Sequence, residues 1–115
     1  MIDLKTLSKE HEQLFPNATA ESQLFKMEEE VTEFFNAQGT DKSLKELADC
    51  IIVCVGLYRF CPNFARKTVD EIINANIADL EKLDQEVARK WEVNKSRKWQ
   101  WNGKTYKHIG VDGNE

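Results

Sequence analysis

The sequence predicts an all-α protein, a four- to five-helix bundle ending in a small C-terminal β-hairpin. Three observations carry this. Apolar residues recur at three- and four-residue intervals through most of the chain, as helices require. The two prolines, Pro16 and Pro62, each fall between such stretches. Period-two alternation occurs in one place, around Asn102-Gly103. A chain of 115 residues can bury one modest core, assigned to residues 1–109, and residues 110–115 are expected to form a frayed tail.

The first helix is expected over residues 3–15, stopping ahead of Pro16. Thr19, with Glu21 in the first turn after it, supplies the cap of a second helix. Its stripe of Leu24, Met27, Val31, Phe34 and Phe35 runs to Gly39. A third helix starts at Asp41 or Ser43, carries Leu44, Leu47, Ala48, Ile51, Ile52, Val55 and Tyr58, and is bounded by Pro62. It is apolar nearly all round, so it belongs inside a bundle or in an oligomer interface. Cover for such a helix in so short a chain predicts a homodimer or homotetramer. Beyond Pro62, Thr68-Val69-Asp70-Glu71 fits a capping box, and Val69, Ile73, Ile77, Leu80, Val87 and Trp91 carry the next stripe. One helix from Thr68 to Lys98 would reach about 46 Å at 1.5 Å per residue, so a break is expected near Leu83–Asp84. The hairpin is expected over 99–106. A two-residue type I′ turn at Asn102-Gly103 would place Trp99 opposite Tyr106 and Trp101 opposite Lys104.

Composition removes several classes. The longest nearly apolar run, Leu47 to Tyr58, is too short for a bilayer and contains Asp49. Met1-Ile2-Asp3-Leu4-Lys5 lacks the apolar stretch of a signal peptide. Cys50, Cys54 and Cys61 read as reduced core thiols, which predicts a cytoplasmic protein. With two histidines and no CxxC, zinc chemistry is not indicated. The formal charge of −4 is unevenly spread. Residues 1–88 hold nine basic against seventeen acidic side chains, whereas residues 89–107 hold seven basic side chains against Glu92 alone. An acidic body with a basic terminal segment fits a site that handles an anion through cations.

Two acidic constellations stand at helical spacing. Glu30 and Glu33, within Glu29-Glu30-Val31-Thr32-Glu33, lie about 60° apart on one flank of the second helix. Acids so placed repel, and a cation would offset that; a solvated acidic face is the plainer reading. Glu46 and Asp49 repeat the spacing on the third helix. Asp49 is the one charged residue between Leu47 and Tyr58, and burying its carboxylate is costly unless it is paired or bound to a metal. Its alternative partner is a lysine or arginine from another helix. If the two helices pack antiparallel, four carboxylates converge. Oxygen donors without histidine or cysteine suit Mg²⁺, with Mn²⁺ possible. A di-iron bundle would need Glu-x-x-His, which is absent.

Glu29-Glu30-x-x-Glu33, twelve intervening residues and Glu46-x-x-Asp49 resemble the signature of MazG-like all-α nucleoside triphosphate pyrophosphohydrolases. The resemblance covers residues 23–61, with Lys26-Met27 before the first element and Leu47-Ala48-Asp49-Cys50-Ile51-Ile52 in the second. It resumes at Lys90-x-x-x-Asn94-x-x-Arg97-x-Trp99, which is similar to the C-terminal element of phage and bacterial MazG-like proteins. It implies the all-α NTP pyrophosphatase fold, metal ligation by Glu30, Glu33, Glu46 and Asp49, and a water-activating or outer role for Glu29. It also implies Mg²⁺-dependent hydrolysis of (d)NTP to (d)NMP and pyrophosphate, in a dimer or tetramer with substrate between subunits. A phosphoribosyl-ATP pyrophosphohydrolase is a related possibility.

Lys90, Asn94 and Arg97 share one helical face, and two cations with an amide suit phosphate oxygens. A solvated basic face is the competing reading. Trp99, Trp101, Tyr106 and His108 either close the bundle, stack on a base, or form a single-strand platform with Lys98, Lys104 and Lys107. The functional alternatives are a non-enzymatic helical oligomeric interaction protein and a nucleic-acid-binding module using the C-terminal hairpin. The acidic body disfavours nucleic acid.

Overall fold

The computed structural model describes residues 2–76 and 79–109. Among these the chain forms five helices and a two-stranded antiparallel hairpin: α1 Leu4–Leu14, α2 Ala20–Ala37, α3 Ser43–Tyr58, α4 Pro62–Ala75, α5 Leu80–Ser96, β1 Trp99–Trp101 and β2 Tyr106–His108. The expected tail at 110–115 and the stripe residue Ile77 lie outside the described residues.

Local chemistry explains the first boundaries. Asp3 caps α1 by accepting the Thr6 N–H, and α1 ends before Pro16. Thr19 and Ser22 form a reciprocal capping box at the start of α2, satisfying two N–H groups that the helix leaves open. Gly39, at φ +81°, opens the turn between α2 and α3 in a conformation that a side chain would strain. Thr40 stabilises that turn, its N–H and hydroxyl both donating to the Ala37 carbonyl.

α3 is the centre. Leu47, Ala48 and every residue from Cys50 to Leu57 are buried, and α1, α2, α4 and α5 all pack on it. Neighbours from the same chain therefore cover it, so its apolar circumference does not require a second subunit. The stripe of α2 is rotated from the expected one. Gln23 is buried and Met27 and Phe34 pack on the core, whereas Leu24 and Phe35 are 51% and 61% exposed. The inward line is thus Gln23, Met27, Glu30 and Phe34, at helical spacings of four, three and four.

Three expectations need correction. Thr68 is not a cap: α4 starts six residues earlier with Pro62 in its first turn, and the Thr68 hydroxyl donates back to the Phe64 carbonyl. Helix α4 ends at Ala75 and α5 begins at Leu80, so the break precedes Leu80 and does not fall at Leu83–Asp84. The Asn76 amide donates to the Ile72 carbonyl and competes with helix continuation, while Leu83 is a fully buried core residue inside α5. The hairpin has a four-residue loop in place of the type I′ turn. Asn102 has a negative φ, and its side chain accepts the N–H groups of Lys104 and Thr105. Pairing therefore shifts to Trp101↔Tyr106, Gln100↔Lys107 and Trp99↔His108, extending the hairpin to residue 108.

Candidate metal and phosphate site

The acids of α2 and α3 meet beside the Gly39 turn. Glu30 and Glu33 from α2 and Glu46 from α3 each place a carboxylate oxygen within 4.8 Å of the others. Glu33 is exposed, while Glu30 and Glu46 are half-buried. Glu30 holds an inward position of α2, and this decides its state. Burial, a hydrogen bond to Glu33 and the charges of Asp49, Glu33 and Glu46 push its carboxyl up to about 8. Glu46 is raised as well, by burial first and then by Asp49 and Glu33. Three carboxylates crowded together form a donor set whose mutual repulsion a hard cation relieves. All its donors are oxygens, which suit Mg²⁺ and Mn²⁺, so the residues fit the ion that the motif implies.

Asp49 stands beside this triad rather than in it. Its Oδ2 accepts from the Lys90 ammonium of α5 at 2.9 Å, and the two side chains are 25% and 22% exposed. The alternative partner drawn from another helix is therefore the one that Asp49 takes. Burial nevertheless outweighs the ammonium and leaves Asp49 above its ordinary range. Glu29 is also outside the triad, in an ion pair with Lys26 on its own helix at 3.5 Å.

The basic element divides. Lys90 and Asn94 lie on α5, but Arg97 is the first residue past its end, in extended backbone with ψ 157°. A helical face shared by Lys90, Asn94 and Arg97 is thus corrected to two helical positions and one on the connection to β1. The Asn94 carbonyl accepts the Trp99 indole N–H at 2.9 Å, which anchors the hairpin to α5. The aromatic residues close the bundle. Phe15 meets Trp99 and Tyr106 edge-on at 5.0 and 4.9 Å, and the Tyr106 hydroxyl accepts the Asn17 N–H. Trp101 packs on Tyr106 and His108 on Trp99.

Sequence reading missed one feature. A cleft of about 540 Å³ opens at the turn end of α2 and α3, lined among others by Phe34, Thr40, Leu44, Leu47, Asn76 and Lys82. Phe34 and Leu47 are the chain neighbours of Glu33 and Glu46, but the acids themselves do not line the cleft. Asn76 and Lys82 reach it through the break between α4 and α5, which no local pattern located.

Comparison with known proteins finds no matching family model, curated protein or solved structure.

Proposed function

We propose that this chain is an Mg²⁺-dependent nucleoside triphosphate pyrophosphohydrolase of the all-α type, acting on (d)NTP to give (d)NMP and pyrophosphate. The observation that carries the reading is the convergence of Glu30, Glu33 and Glu46 from two helices within 4.8 Å. Mg²⁺ held there supplies charge neutralisation on phosphate oxygens and a more acidic water. The protein contributes the rest. Glu33 and Glu46, on either side of a short, hydrogen-bonded turn, fix the donor geometry. Lys90, with Arg97 beyond the helix end, provides positive charge for the departing pyrophosphate. The cleft at Phe34, Leu44 and Leu47 takes the nucleoside, its apolar side chains facing the base and its hydroxyls and amides the polar edges. Glu29, directed at Lys26, takes no part in holding the ion. The protein is further proposed to be cytoplasmic: no helix among the described residues is long and apolar enough to cross a membrane, and its cysteines are free.

The test is a panel of ribo- and deoxyribonucleoside triphosphates with Mg²⁺, scored for pyrophosphate against single orthophosphate. Pyrophosphate should be released, and Glu46→Ala should lower turnover by roughly a hundredfold or more with an unchanged helical circular-dichroism spectrum. Orthophosphate as the product, or normal turnover in that variant, overturns the proposal.

A further inference from the structure

The large apolar side chains left exposed among the described residues fall mainly into two groups. Leu24 and Phe35 stand on α2; Phe60 and Phe64, 39% and 51% exposed, stand at the corner between α3 and α4. Grouped apolar surface of this kind is stabilised when a partner removes it from water. The charges around the two groups are opposite. Helix α2 carries five acidic residues against Lys26 alone, whereas Cys50 to Val69 carries Arg59, Arg66 and Lys67 and no acid. Glu28 is exposed on α2 within about 40° of both Leu24 and Phe35. Lys67 is exposed one turn after Phe64 on α4, and the Arg59 guanidinium lies 4.6 Å from the centre of the Phe60 ring. Neither Glu28 nor Lys67 joins an ion pair among the described residues. The start of α2 and the corner also lie side by side. Gln23 abuts Gly56 near the end of α3, and Arg59 donates to the Ala18 carbonyl just ahead of α2.

We propose that the acidic α2 face of one copy, with Leu24, Glu28 and Phe35, docks on the basic corner of a second copy, with Phe60, Phe64 and Lys67, and that the contact is made twice about a two-fold axis. A second copy is the occupant because each surface offers apolar area and the charge that the other lacks. Opposite charge also selects this pairing. Placing α2 against α2 would set Glu28 near Glu28, and placing corner against corner would set Lys67 near Lys67, both repulsive. Since the two surfaces adjoin at one end of the bundle, a single neighbour can engage both, which closes the assembly instead of extending it. The contact involves no metal ion and is independent of the metal-binding reading.

The experiment follows association of the full chain by sedimentation velocity, with Glu28→Lys and Lys67→Glu studied alone and mixed in equal amounts. The wild type should associate, and less tightly as NaCl rises from about 50 to about 500 mM. Each variant alone should associate at least about tenfold more weakly, because it sets like charges together at both contacts. The mixture should recover association, since every contact of a mixed pair again joins a cation to an anion. Both substitutions fall at exposed positions, and an unchanged helical circular-dichroism spectrum checks that the fold is kept. Lys67→Glu associating like the wild type, or a mixture no tighter than the single variants, overturns the pairing. Phe64→Ser, also at an exposed position, should weaken association about tenfold, and an unchanged affinity overturns the part given to the corner. A wild type that stays monomeric at high concentration overturns the proposal and leaves the corner to a foreign acidic partner; a species that keeps growing with concentration overturns the two-fold closure.

Discussion

Glu30 illustrates how one position can serve folding and chemistry in opposition. It lies on the inward line of α2, with Gln23, Met27 and Phe34, where an apolar residue would stabilise the bundle. Its carboxyl, ordinarily near 4.5, is pushed up to about 8 by burial and the neighbouring acids. The folded state therefore favours the protonated form. Stability is fully present below the unfolded value and is lost as pH rises through the folded one. Without divalent ions, urea unfolding should show the protein less stable at pH 8 than at pH 5, and Glu30→Gln should flatten that component. Mg²⁺ should restore stability at pH 8, because it takes the place of the proton. His11 titrates with the opposite sign. Burial, with the Arg59 charge, lowers it to about 3, so its contribution is lost on acidification from about 6.5 downward. Its Nδ1 is buried without a hydrogen-bond partner. The spacing of Glu30 and Glu33 was legible in the sequence, but the depth of Glu30 was not. Centring the apolar stripe on Leu24 and Phe35 turned α2 away from its buried line.

Among the elements, α3 shows what patterning does establish. Its nearly continuous apolar surface follows from composition and spacing, and of the two starts they allow, Asp41 or Ser43, the helix takes Ser43. The close approach of its neighbours does not follow from them. A Cβ on Gly56 would lie 2.2 Å from Gln23 Oε1 and 2.7 Å from His11 Nε2, so α1 and α2 both depend on that bare backbone. Gly56→Ala should cost about 1–3 kcal/mol in urea unfolding, because both contacting side chains are buried and must shift together. The hairpin was recognisable from its Asn-Gly pair and alternating aromatics, but its register was not. The Asn102 carboxamide, by accepting two backbone N–H groups, lengthens the loop and moves every pair. Tyr106→Phe should cost about 1 kcal/mol, the usual penalty for leaving an N–H such as that of Asn17 without its partner. The α4–α5 boundary was misplaced because Thr68-Val69-Asp70-Glu71 imitates a cap while Pro62 performs the initiation.

At the scale of the molecule, the five helices of the described residues enclose one core and leave the acids of α2 and α3 at its edge, with the Lys90 ammonium of α5 bound to Asp49. The oligomer proposal no longer draws on α3. It draws on Leu24 and Phe35, which lie eleven residues apart on nearly the same line of α2 and are largely exposed. Sedimentation velocity should show a dimer or tetramer that Phe35→Lys dissociates; a wild type monomeric at high concentration contradicts this. The central claim is that Glu30, Glu33 and Glu46 hold a divalent cation. Calorimetric titration of the metal-free wild type with Mg²⁺ and Mn²⁺, beside Glu33→Ala and Glu46→Ala, tests it most directly. The account predicts saturable binding by the wild type that both substitutions weaken at least about tenfold. Absence of binding, or equal binding by all three proteins, would contradict it.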